Sequence, residues 1–188
     1  MKNETMNSMQ RTLTTLGHKE PDRVPFYLFL SLHGAKELGI SLKEYFAHSE
    51  NVFEGQMIMS EKYRDDCISN FYYGPADVEA WGGEVIFNDD GPPNSGLPFI
   101  RNYSDIDDLR APDIGDSKIL QRILKSTKLM FNEVQDTVPI IGVVMSPFSL
   151  PVMQMGFGEY LELIYGDELK FRKLMEVNTQ FCVNWANA

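Results

Sequence analysis

The sequence predicts an α/β fold in which helices alternate with parallel strands. Three apolar segments of strand length, residues 24–30, 67–73 and 138–145, are separated by segments with helical periodicity. The third segment is apolar along nearly its whole length, which is typical of a strand buried on both faces of a parallel sheet. In such folds the loops that follow the carboxyl ends of the strands form the ligand site.

Composition and charge exclude several classes of function. The 188 residues carry 27 acidic and 17 basic side chains, a net charge of −10, and no cluster of lysines and arginines. This balance argues against binding to nucleic acid or to an anionic membrane, and no apolar run approaches the ~18 residues that would cross a bilayer. Cys67 and Cys182 lie far apart and outside any CxxC motif, as expected for reduced thiols. We therefore expect a cytoplasmic protein.

The remaining elements follow from periodicity and turn residues. Gly17 is expected to end the first helix, and Ser49 is a candidate N-cap. Residues 84–100 predict a β-hairpin whose turn covers residues 90–96, and residues 104–114 predict a capped acidic turn. The predicted helices cover residues 5–16, 38–46, 49–63, 76–81, 117–135, 158–165 and 167–188.

Three motifs occur in a characteristic order: EPDRVPF at residues 20–26, EAWGGEVIF at 79–87 and PIIGVVMSPFSL at 139–150. Together they resemble the uroporphyrinogen decarboxylase superfamily, especially its methylcobalamin:coenzyme M methyltransferase-like branch. The resemblance implies the N-terminal half of a (β/α)8 TIM-type barrel with a β-hairpin insertion. Such a barrel takes about 250 residues, so we expect residues 1–188 to form a single domain that is truncated at its C-terminal end.

Departures from the decarboxylase pattern favour the methyltransferase branch. The decarboxylases carry an arginine-rich loop after the first strand, where guanidinium groups bind the substrate's carboxylates. The corresponding segment here, FLSLHGAKEL at residues 29–38, contains no arginine. By resemblance, Tyr73 stands where the decarboxylases have an aspartate, and Met153 stands where they have a tyrosine. A polyanionic porphyrinogen would therefore meet aromatic and thioether groups.

The resemblance also implies a cofactor for the complete enzyme. The methyltransferase branch holds a zinc ion with a His-x-Cys pair and a distant cysteine, which activate a substrate thiol. His18, His33 and His48 are isolated, and neither cysteine has a histidine two residues away. We expect zinc in the complete family enzyme and no zinc bound by this chain alone.

Six residues near predicted strand ends are candidates for binding substrate, and each has a structural alternative. His33 follows the first strand and is either a solvated loop residue or a substrate contact. Tyr73 ends the second strand and either packs in the core or lines the mouth of the barrel. Met145, Phe148 and Met153 could line an apolar pocket or fill the core, and Ser146 is the polar candidate at the end of the third strand.

The resemblance implies a corrinoid-dependent methyltransferase that transfers a methyl group from a methylated corrinoid to a thiol. Catalytic residues are not identified, and no metal ligand is expected. The expected partners are a corrinoid protein or free methylcobalamin, a small thiol, and either further copies of the chain or a C-terminal half. Two alternatives remain open: a tetrapyrrole decarboxylase, and a noncatalytic fragment that binds a corrinoid or a partner protein.

Overall fold

The computed structural model describes residues 4–89 and 91–188, and Asp90 of the predicted hairpin turn lies outside them. The chain forms two compact units, residues 4–72 with 122–143 and the described part of 73–121 with 144–188. Among the described residues, no helix is both long and apolar enough to cross a membrane. In chain order the elements are α1 (Ser8–Leu16), α2 (His33–Leu38), α3 (Leu42–Ala47), α4 (Ser49–Tyr63), β1 (Ile68–Ser69), α5 (Ala76–Ala80), β2 (Val85–Ile86), β3 (Asn94–Ser95), α6 (Asp105–Asp108), α7 (Lys118–Val134), β4 (Ile140–Ile141), α8 (Leu150–Met155), α9 (Phe157–Gly166) and α10 (Glu168–Asn187).

The parallel pairing expected of the second and third predicted strands is present in the first unit. Strand β1 pairs with β4 in parallel, with Ile68 opposite Ile140 and Ser69 opposite Ile141. The connection between the two strands contains helix α7, as in a β-α-β crossover. The fold is therefore α/β, as predicted. Both strands are shorter than predicted, and helices make up most of the structure.

The prediction of a strand over residues 24–30 is wrong for the described structure. The backbone N–H of Asp66 donates to the carbonyl of Phe26 at 2.6 Å, which places the segment beside β1. The N–H groups of Phe26 and Leu28, however, donate to the side-chain carboxylates of Asp66 and Asp65, at 2.8 and 3.4 Å. Because these carboxylates take the place of backbone carbonyls, a regular ladder does not form.

Several helix ends differ from the predictions for local reasons. Helix α1 begins at Ser8 because Asn7 and Gln10 form a capping box. The predicted helix over residues 38–46 begins only at Leu42, as α3, because Leu38 is the last residue of α2 and Gly39, with a φ of 69°, ends that helix. Ser49 lies inside α4 and donates its hydroxyl to the carbonyl of Arg122 at 2.9 Å, so it is not the N-cap.

The predictions for the rest of the chain are largely confirmed. Helices α5, α7, α9 and α10 lie within about a turn of their predicted bounds, and α6 forms in the acidic stretch. The hairpin is present as the antiparallel pair of β2 and β3. Its second strand, Asn94–Ser95, lies within the segment that was predicted to be the turn.

A buried carboxylate, Asp66, joins three segments of the first unit. It accepts hydrogen bonds from the guanidinium groups of Arg11 at 2.6 Å and Arg23 at 2.5 Å, and from the hydroxyl of Ser8 at 3.1 Å. The Phe26 N–H is a further donor. These donors belong to helix α1 and to the EPDRVPF segment, so the carboxylate fixes both against the start of β1.

The same arrangement keeps both aspartates that contact Arg11 ionised. Burial alone would raise the pKa of Asp66, but its donors, with Arg23 the strongest, hold that pKa below its ordinary value. A hydrogen bond from Arg11 likewise lowers the pKa of Asp22. A lowered pKa in the folded state means that both groups stabilise the fold near neutral pH, and that this stabilisation is lost as the pH falls below the ordinary value of 3.8.

We expect Arg11→Ala to lower the free energy of unfolding by about 3 to 5 kcal/mol, because it leaves part of a buried carboxylate without its partner. Urea denaturation followed by circular dichroism measures the change. The matched control is Arg172→Ala, which removes an exposed pair with Glu168 in α10 and should cost about 0.5 kcal/mol or less. Equal effects of the two substitutions would contradict a structural role for the buried cluster.

Candidate functional site

The loop that follows β4 forms a compact turn leading into α8. The carbonyl of Ser146 accepts from the N–H groups of Ser149 at 2.9 Å and Leu150 at 3.1 Å. The Ser146 hydroxyl oxygen accepts from the N–H of Phe148 at 3.2 Å. These bonds fix the loop locally while the Ser146 side chain remains exposed. The turn therefore presents a hydroxyl in the segment that follows β4 in the chain.

Apolar residues lie close to Ser146 in the sequence. The ring of Phe148 is 57% exposed, and its inner edge contacts Tyr160 and Phe171, with centroid separations of 5.6 and 6.4 Å. Met145 and Met153 are half-buried. We call Met145, Ser146, Phe148 and Met153 the mouth residues. They combine two thioethers, an aromatic face and one hydroxyl, which suits a flat ligand with little charge.

Two side chains from helices hold the backbone of Met145. Its N–H donates to the carboxylate of Asp77 on α5 at 2.9 Å, and its carbonyl accepts from the thiol of Cys182 on α10 at 3.1 Å. The backbone N–H and the carbonyl of Met145 therefore both form hydrogen bonds with side chains. The position of the mouth depends on α5 and α10.

Asp77 is a buried acid without a cation partner among the described residues, and it is 5% exposed. Burial raises its pKa to about 6, although the Met145 N–H and the Trp185 indole both favour the ionised form. Burial and the neighbouring Asp77 raise the pKa of the Cys182 thiol to about 11. The Trp185 N–H makes no hydrogen bond of ordinary geometry within the described residues.

The other two predicted residues lie in different surroundings. Tyr73 is buried in the second unit, where its ring packs against Phe87 at 5.5 Å and its hydroxyl donates to Glu79. His33 is exposed at the start of α2 in the first unit. The mouth residues therefore lie in one loop and in the helix after it, whereas Tyr73 is buried.

Two other features of the second unit lie outside the mouth. Met155 belongs to a buried apolar cluster with Tyr160 and Leu163, so it does not line the mouth. An open groove of about 780 Å³ runs along α10, with Phe171 and Met175 among its lining residues. None of the six predicted site residues lines this groove.

Residues 4–89 and 91–188 do not offer a zinc site. Within these ranges, no three side chains of the types His, Cys, Asp or Glu are grouped so that they could hold a metal ion. Both cysteines are buried. The zinc site implied by the family resemblance does not fit the residues that the structure describes.

Sequence reasoning did not identify the residues that anchor the mouth. Asp77, Cys182 and Trp185 come from segments far apart in the chain, and only the fold brings them to Met145. One local signal was present. Asp77 lies in a short helix directly after the strand-ending Gly74-Pro75 pair, where the polar side chain is buried with its neighbours Ala76 and Val78.

The comparisons with known proteins identify the family. The family model described as uroporphyrinogen decarboxylase (URO-D) matches residues 7–188. The chain belongs to this family. Among the solved structures, a methyltransferase from Methanosarcina mazei is similar, with a TM-score of 0.83 and 17% sequence identity. The alignment covers 97% of this chain and 55% of that chain.

These findings confirm the resemblance that the three motifs predicted. The likeness to the methyltransferase structure, at 17% sequence identity, concerns the fold. No curated protein matches the sequence. This chain spans about half the length of the methyltransferase that it resembles.

We expect the purified 188-residue chain to contain no stoichiometric zinc, because a tight zinc site needs at least three protein ligands in one place. The protein is incubated with zinc and then dialysed against zinc-free buffer, and elemental analysis measures the metal that remains. A content of about one zinc per chain after this dialysis would contradict the expectation. Cys67→Ser and Cys182→Ser would then show which thiol binds the metal.

Proposed function

We propose that this chain is part of a corrinoid-dependent methyltransferase of the URO-D superfamily, and that the mouth residues contact the methylated corrinoid. The observation that supports this proposal best is the chemistry of the loop after β4. Residues 138–158 include three methionines, with Ser146, Phe148 and Ser149 at the turn, and contain no lysine or arginine. A ligand at this mouth meets thioethers, an aromatic ring and one hydroxyl.

Charge distinguishes the two tetrapyrrole classes. Uroporphyrinogen carries a carboxylate on every peripheral side chain, and buried or interfacial carboxylates need cationic partners. The periphery of a cobalamin corrin ring carries mainly amides, which need hydrogen bonds but no counter-charge. Its faces and its axial methyl group favour apolar, polarisable surroundings such as methionine and phenylalanine. The mouth therefore suits a corrinoid better than a porphyrinogen.

The proposed reaction moves one methyl group. The thiolate sulfur forms a bond to the methyl carbon while the cobalt–carbon bond breaks, and both electrons of that bond stay on the metal, so Co(III) becomes Co(I). The proton of the thiol must be removed before or during attack. The described residues contain no zinc site for that task, so we assign this chain the corrinoid-facing wall and leave thiol activation to other parts of the enzyme.

The partners of the proposed enzyme are a corrinoid protein or free methylcobalamin, and a small thiol. The mouth can act on its own as a binding surface, so the first test is binding. We expect the chain to bind methylcobalamin and to reject uroporphyrin, which is used as the stable polyanionic analogue. Equilibrium dialysis with both tetrapyrroles measures the difference. Tighter binding of uroporphyrin would contradict the methyltransferase proposal and favour the decarboxylase.

We expect Ser146→Asp to weaken methylcobalamin binding by about tenfold, because the new carboxylate would be desolvated at an apolar interface. The control Ser104→Asp adds the same charge to an exposed position before α6 and should leave binding unchanged. Circular dichroism checks that both variants fold. Equal binding by the wild-type protein and Ser146→Asp would remove Ser146 from the site.

We also propose that the 188-residue chain associates through the segment at residues 24–30, either with further copies or with a C-terminal half. This segment runs beside β1 and exposes apolar side chains, with Val24 82% and Phe29 56% exposed. Exposed apolar side chains beside a short sheet favour association with another chain. This surface is in the first unit, and the mouth residues are in the second.

Light scattering tests the association. We expect a mass above 21.5 kDa for the wild-type chain. Phe29→Lys should shift the mass towards that of the monomer, because it places a charge among the exposed apolar side chains of residues 24–30. The control is Phe131→Lys, since Phe131 is 52% exposed on α7 and lies outside that segment. A monodisperse wild-type monomer would contradict the proposal.

A further inference from the structure

We propose that Asp77 is a positioning residue for the mouth, and that its carboxylate and the Cys182 thiol together set where Ser146 and Phe148 project. The contacts are those of Met145, whose N–H donates to Asp77 and whose carbonyl accepts from Cys182. The functional meaning of this positioning rests on the proposed function, since it assumes that the mouth binds a ligand. The physical coupling between Asp77 and the loop does not.

The sheet does not extend to the residues that need to be positioned. Within the described residues, the ladder between β1 and β4 ends where the N–H of Asn70 donates to the carbonyl of Ile141. Four residues further along, the chain reaches Met145. The backbone of Met145 is held instead by the side chains of Asp77 and Cys182. A displacement of Met145 would move Ser146, the next residue in the chain.

The surroundings of Asp77 make this anchor sensitive to protonation. Helix α8 packs against α5 and has no titratable side chain between Leu150 and Met155. Helix α10 contributes the Cys182 thiol and the Trp185 indole, and α5 itself carries Glu79, which accepts from Tyr73. Because no lysine or arginine is among the groups that act on Asp77, burial dominates and raises its pKa to about 6.

The direction of the pH effect follows from the hydrogen bond. An ionised carboxylate accepts a charge-assisted bond from the Met145 N–H, and that bond weakens when the acid is protonated. The loop is therefore held most firmly above pH 6 and less firmly below it. The folded protein favours the protonated acid relative to the unfolded chain, so global stability changes in the opposite direction and falls as the pH rises through this range.

Hydrogen–deuterium exchange of peptides that cover residues 143–150 tests the proposal. After correction for intrinsic exchange, we expect the protection of this loop to fall about tenfold as the pH drops through the pKa of Asp77, about 6. Asp77→Asn should remove the pH dependence and hold protection near the low-pH level. Cys182→Ala should reduce protection at every pH and leave the midpoint in place.

The matched control is Asp105→Asn. Asp105 also accepts backbone N–H bonds, from Arg101 and Asn102, but it is exposed at α6 and its pKa is lowered. This variant should leave the titration of the loop unchanged. Protection that does not depend on pH in the wild-type protein would overturn the proposal, even if Asp77→Asn failed to fold.

Methylcobalamin binding at pH values on either side of 6 separates this inference from the proposed function. If the loop titrates and methylcobalamin does not bind, the positioning role stands and the proposed ligand is wrong. If methylcobalamin binds and the loop does not titrate, the ligand proposal stands and Asp77 has no positioning role. If both hold, we expect tighter binding above the pKa of Asp77, and Asp77→Asn should remove that difference.

Discussion

A buried aspartate with several donors organises the first unit. Asp66 accepts hydrogen bonds from two guanidinium groups, a hydroxyl and a backbone N–H, which belong to segments before β1 in the chain. A carboxylate removed from water needs such compensation, and removing one donor leaves a desolvated charge. The cluster therefore fixes helix α1 and the EPDRVPF segment to the start of β1, and the parallel pair of β1 and β4 extends from that point.

The second unit contains a buried aspartate of the opposite kind. Asp77 is buried like Asp66, but the groups that act on it are a backbone N–H, an indole and a neighbouring thiol, and its pKa is raised. An acid paired with arginine stays ionised and serves stability, whereas an unpaired acid titrates near neutral pH and can act as a switch. In the sequence, Asp66 follows Arg64-Asp65 and Asp77 follows Pro75-Ala76. The folded environment separates their roles.

The sequence predicted what depends on local pattern and missed what depends on contacts between distant residues. Amphipathic periodicity located α7 and α10, because helix formation and the burial of one face are both encoded in a few turns. The apolar run at residues 24–30 predicted a strand that does not form, because the carboxylates of Asp65 and Asp66 replace backbone acceptors. Residues 145–153 follow β4 in the chain, but the hydrogen bond from Met145 to Asp77 joins residues far apart in the sequence and could not be predicted from it.

If a methylated corrinoid lies against the mouth, the NMR spectrum of methionine methyl groups labelled with carbon-13 should show it most directly. The chain has 10 methionines, and a bound corrin changes the surroundings, and so the chemical shifts, of the methyl groups nearest to it. Adding methylcobalamin should shift the signals of Met145 and Met153 and leave that of Met59, which is buried in the first unit. A shift of Met175, which lines the groove along α10, in place of Met145 and Met153 would contradict the claim.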